Sequence, residues 1–81
     1  MAAFDYNAPA DLFPARSKTG RRPIGYRRFG TAAEAIRFAV EQMPFEILDG
    51  TILEIESVRV DGVGIRVLYE SVDFPLVKIS R

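Results

Sequence analysis

Eighty-one residues make one small domain, and a chain of this size buries only roughly 60% of its unfolded surface, so it is marginal without a partner or a staple. Cysteine is absent, which excludes a disulfide, and with histidine absent too the usual structural zinc site is excluded. Eleven Lys/Arg balance eleven Asp/Glu, leaving no net field to draw in nucleic acid or an anionic membrane.

The balance is uneven along the chain. Residues 1 to 30 hold six Lys/Arg against two Asp/Glu, and residues 31 to 81 hold five against nine. A basic front on an acidic body is the resulting picture. No apolar run approaches the ~20 residues of a membrane span, and the first residues lack the basic start and apolar core of a signal peptide. The expected location is the cytoplasm, with no membrane contact, and the small size makes a homodimer one expected solution.

Residues 1 to 22 mix Ala, Pro, Gly, Ser and charge without a sustained period, Pro9 and Pro14 interrupt them, and Pro23 follows directly. They read as a mobile or strap-like arm preceding a single domain over residues 23 to 81. Phe4, Tyr6, Leu12 and Phe13 are more apolar than a linker needs, and Ala10-Asp11-Leu12-Phe13 reads as one helical turn or a clip on the body. Such residues serve either a short motif for a partner or a strap covering the chain's own core.

Arg16, Lys18, Arg21, Arg22, Arg27 and Arg28 follow with no acidic residue among them, and Tyr26 and Phe29 stand at the far end. Basic side chains interleaved with aromatics grip phosphates and stack bases, which makes these six the candidate nucleic-acid contacts. The plainer reading is a solvated arm and then an edge strand over 24 to 29, whose arginines guard the edge against further pairing.

Thr31 to Met43 is the best-defined element. Thr31 and Glu34 form a capping box, Ala32, Ile36, Ala39, Val40 and Met43 fall on one stripe, and Pro44 ends the run. Phe38 disobeys this pattern, lying among Glu34, Arg37 and Glu41 on the polar side. A large aromatic there wants cover, so Phe38, Glu34 and Glu41 are the candidate protein interface.

Asp49-Gly50 is a turn signal, and Thr51 to Val60 is β-branched, with alternation that changes phase near Ser57, as a bulge or bend requires. Asp61-Gly62 fits two templates. As a hairpin turn it pairs Val60 with Val63; as a helix start it places Ile65, Leu68, Tyr69 and Val72 at i, i+3, i+4 and i+7.

Two strings carry a resemblance. YRRF with TAAEAIRFAVE, and RVDGVGIRVLYES with DFPL, over about residues 26 to 76, resemble a group of short uncharacterised bacterial proteins with no known activity. The resemblance implies a helix over 62 to 71, although its helix formers are replaced here by Val63 and Val67. The expected fold is therefore α+β: a small sheet covered by one main helix, in the order strand (24–29), helix (31–43), strand (51–60), short helix (62–71). A hairpin over 58–69 is the alternative. If the two strands are parallel neighbours, the main helix is their right-handed crossover.

Without His or Cys, catalysis would rest on carboxylates, Lys, Tyr or Ser. Glu54 and Glu56 share one strand face, a spacing commoner on a solvated surface than in an acid/base pair, and no glycine pattern forms a phosphate cradle. No catalytic residue, metal or cofactor is expected. The expected function is a small protein-interaction or regulatory module, with a nucleic-acid accessory protein binding through residues 16–28 as the alternative.

Overall fold

The computed structural model describes residues 4–15, 25–56 and 58–76. In chain order its elements are β1 (Ala10–Phe13), β2 (Arg27–Phe29), α1 (Ala32–Gln42), α2 (Phe45–Leu48), β3 (Ile52–Ile55), β4 (Val58–Val60) and α3 (Gly62–Glu70). The fold is α+β, with a four-stranded antiparallel sheet in the order β2-β1-β3-β4.

The start and stop of α1 follow from its flanking residues. The Thr31 hydroxyl accepts from the Glu34 N–H at 3.2 Å, and Met43 turns extended, at ψ 141°, ahead of Pro44. Ala32, Ile36, Ala39 and Met43 are buried, and they join Ala10, Leu12, Leu53 and Ile55 in the core. The stripe expected from the sequence is thus the side that packs.

The first correction concerns the arm. Its described part, residues 4–15, belongs to the fold, and β1 lies inside the sheet with β2 on one side and β3 on the other. Strands alternate their side chains, so Ala10 and Leu12 point into the core while Asp11 and Phe13 point away. Residues before β1 do act as a strap. The carbonyls of Ala8 and Tyr6 accept from the Ala32 and Ala33 N–H groups at 2.7 and 2.9 Å, matching two of the donors that a helix start leaves over. The Tyr6 hydroxyl donates to the Leu68 carbonyl at 3.0 Å, and its ring joins Phe4, Phe74 and Tyr69 in a chain of aromatic contacts.

The second correction concerns 51–60, which is two strands. Leu53 faces Val60 and Ile55 faces Val58 in antiparallel register, so the change of phase near Ser57 marks a reversal of the chain. Glu56, the first residue of the two-residue connection, sits at φ +52°, a left-handed conformation that costs a residue with a Cβ roughly 1–2 kcal/mol. Glu56→Gly is expected to raise stability by roughly 0.5–1 kcal/mol, read as a higher urea midpoint at unchanged slope.

Two further expectations change. The strand expected over 24–29 is described as Arg27–Phe29, an edge strand, and β1 stands between it and β3. With β1 antiparallel to both, β2 and β3 run parallel without touching, so α1 is not a crossover between neighbours. The hairpin over 58–69 does not form. Asp61 caps α3 instead, its carboxylate accepting from the Gly64 N–H at 2.9 Å, and Ile65 and Tyr69 are buried while β4 pairs with β3.

α2, where no pattern in the sequence marks an element, is a single turn. Buried Thr51 ties it down: its hydroxyl donates to the Ile47 carbonyl at 2.6 Å and accepts from the Ala15 N–H at 3.3 Å. The main helix shares its work, since α1 and α3 lie side by side on one face of the sheet, α1 towards β1 and β2 and α3 towards β3 and β4.

Candidate functional site: the open face of the sheet

Alternation along four strands places two rows of side chains on the face opposite the helices. Register sets Tyr26 beside Phe13 and Phe13 opposite Ile52; one step along, Arg28, Asp11, Glu54 and Arg59 run across all four strands. Among the described residues no element covers this face, and Phe13 and Tyr26 are 40% and 55% exposed.

The aromatic pair is a fixed feature rather than two loose rings. The ring centroids of Phe13 and Tyr26 lie 5.2 Å apart. The Tyr26 hydroxyl donates to Asp11 at 2.6 Å, and Arg28 donates to both Asp11 oxygens at 3.0 and 3.2 Å. The bond to Asp11 raises the Tyr26 pKa above its ordinary 10; desolvation and the Asp11 charge add to this, and Arg28 opposes it. The phenol therefore stays protonated, and its bond intact, below pH 10, and loses that bond only as pH climbs through the raised value. Arg59 and Glu54 pair at 3.7 Å, so the row reads plus, minus, minus, plus and is neutral overall. Each such exposed pair is worth about 0–1 kcal/mol, enough to orient side chains and too little to hold the fold.

Of the six basic residues, the two that are described lie on opposite faces of the sheet. Arg16, Lys18, Arg21 and Arg22 lie outside the described residues. Arg28 faces the open side, while Arg27, its neighbour, turns to the helix side and sets its guanidinium 4.7 Å from the Phe38 ring centroid and 5.4 Å from that of Phe29.

That stack also changes the standing of Phe38. The structure supplies the cover the residue wants: Phe29 lies 5.5 Å away, centroid to centroid, with Arg27 over both rings. Glu34, Phe38 and Glu41 do come together, lining a shallow groove of about 320 Å³ with Phe29, Arg37 and Gln42. Glu41, however, is buried and accepts a short hydrogen bond from the Tyr69 hydroxyl. One of the groove's carboxylates is thus already engaged inside the chain, which makes the open sheet face the stronger candidate.

Glu54 is engaged by Arg59, Glu56 is an exposed turn residue, and among the described residues no three His, Cys, Asp or Glu side chains cluster as metal ligands. No described helix is long and apolar enough to cross a membrane.

Phe13 and Tyr26 were each visible in the sequence, but as separate features of an arm and a basic run. Only the pairing of β1 with β2 makes them neighbours. Comparison with known proteins adds no further lead: no family model, curated protein or solved structure matches the chain.

Proposed function

We propose that this chain is a small protein-interaction module, without catalytic chemistry of its own, that receives a polypeptide partner on the open face of its sheet. The observation that supports this most directly is the exposed Phe13–Tyr26 pair braced by Asp11 and Arg28. Tyr, Phe and Arg are enriched in interface cores, and Tyr and Arg among the residues that dominate binding energy. A pre-positioned ring also loses little freedom when a partner arrives. The neutral charge row suits a mixed-charge polypeptide better than a phosphate backbone. Self-association belongs to the same reading, and the proposal takes the cytoplasm as the place of action.

The test is photocrosslinking from position 13 in cells, followed by binding of the captured partner in vitro. Phe13→Ala and Tyr26→Ala are each expected to weaken that binding about tenfold or more, a hot-spot effect, while Arg37→Ala stays within about twofold. Equal affinity for the native protein and the Phe13→Ala Tyr26→Ala double variant would dispose of the idea.

One observation favours a second reading. A four-stranded sheet with two adjacent exposed aromatics and arginines on the same face is a surface on which unpaired bases stack. Under this alternative, Arg16, Lys18, Arg21 and Arg22 add phosphate contacts. Binding of a single-stranded oligonucleotide would then weaken steeply with salt and vanish in Phe13→Ala, and no anisotropy change at low salt would remove the reading.

A further inference from the structure

We propose that the outward face of α3 pairs two copies of this chain, with the two α3 helices antiparallel across a two-fold axis. The inference rests on the interaction-module reading only in taking self-association as one of its modes; the open sheet face plays no part in it.

The starting point is a mismatch between helix propensity and exposure. On a solvated helix face packing does not decide the residue, and straight-chain helix formers are favoured. α3 does the opposite. Val63 and Val67, four apart on its outer side, are each 64% exposed, and β-branched side chains lose rotamer freedom in a helix. Gly62 and Gly64 lower the propensity further, and nine residues are too few for a helix to stand alone. Ile65 and Tyr69 anchor the inner side, but nothing about that anchoring calls for valine outside. Outer valines make physical sense where a second apolar surface meets them.

Charge indicates which surface. Arg66 and Glu70 lie on the same outer side and pair within the helix at 4.0 Å. Residues four apart are separated by about 6 Å along the axis. With the two-fold of an antiparallel pair set beside Val67, Val67 of one copy meets Val67 of the other, and Arg66 of each copy comes nearly level with Glu70 of the other. Parallel helices would set arginine against arginine and glutamate against glutamate. The face is therefore complementary to itself, as a two-fold interface must be.

Two alternative self-pairings are disfavoured by the same reasoning. Antiparallel pairing of two β4 edges centred on Arg59, or of two β2 edges centred on Arg28, would place like charges directly opposite. The α3 patch is also small against the ~800 Å² per partner of a standard interface. The dimer is accordingly a concentration-dependent equilibrium rather than an obligate assembly.

Sedimentation velocity on the full chain, from ~10 µM to ~1 mM, reads the association directly, with circular dichroism reporting that each variant is folded. The native protein is expected to move from monomer to dimer across this range, and Val67→Glu is expected to remain monomeric with unchanged helix signal. Arg66→Glu and Glu70→Arg each place like charges across the interface and should each weaken association about tenfold; an equimolar mixture of the two should recover it as a heterodimer. The Phe13→Ala Tyr26→Ala variant should associate like the native protein. A native chain that stays monomeric throughout, a folded Val67→Glu that dimerises normally, a mixture no better than its components, or dimerisation lost with Phe13 and Tyr26 would each overturn the assignment. Failure here leaves the sheet-face reading to its own crosslinking test.

Discussion

Leu12→Ala is expected to destabilise the domain by roughly 2–5 kcal/mol, and a chain lacking residues 1–15 is expected not to fold. Leu12 is fully buried and sits opposite Arg27 on one side and Leu53 on the other. Its removal leaves a cavity in the middle of the sheet, where relaxation from either flank is limited. Truncation goes further. β2 loses the one strand it pairs with among the described residues, the β3–β4 hairpin is left without its inner neighbour, and the first amides of α1 lose the Tyr6 and Ala8 carbonyls. Urea unfolding followed by circular dichroism measures the first effect as a lower midpoint at similar slope. For the truncation, a cooperative transition comparable to that of the intact chain would mean that β1 is dispensable, against the topology described above.

Gly62→Ala is expected to destabilise by roughly 1–3 kcal/mol, even though helix propensity by itself favours alanine there by ~1 kcal/mol. A Cβ on Gly62 would stand 2.2 Å from the Leu48 carbonyl oxygen and 3.0 Å from both the Cα and the carbonyl oxygen of Asp49. All three are backbone atoms, so relief requires the start of α3 to move away from the end of α2. Gly64 provides the internal comparison. A Cβ there meets the Val60 Cγ1 at 2.5 Å, a side-chain atom that a rotation displaces, so Gly64→Ala should cost clearly less. Equal urea midpoints for Gly62→Ala and the native protein would show that the close approach of α2 to α3 is not a constraint.

The contrast between these elements explains what was legible beforehand. α1 could be read because cap, stripe and stop are all local: Thr31, Glu34 and Pro44 act within a few residues of where they stand. α3 was legible only in part. Asp61-Gly62 suits a turn or a cap equally well, and the choice is made by distant partners, with β4 occupied by β3 while Ile65 and Tyr69 are drawn into the core. β1 escaped because four residues between Pro9 and Pro14 are too short to show alternation, and prolines at both ends argue for an edge rather than an interior strand. The candidate site inherited that difficulty. Tyr26 and Phe13 become adjacent only once β1 and β2 pair, and Arg27 and Arg28 separate to opposite faces for the same reason. Phe38 stands out in the sequence as an aromatic on a polar face, whereas its cover by Phe29 and Arg27 of β2 depends on where that strand lies, which no local pattern shows.

The position of β1 also shapes the order in which the sheet can close. Its flank towards β2 is met by residues about fifteen positions along the chain, and its flank towards β3 by residues some forty positions along. A β1–β2 hairpin formed first would present an unfilled row of amide and carbonyl groups beside Leu12, the kind of edge that invites mispairing between crowded chains until Ile52 to Ile55 arrive.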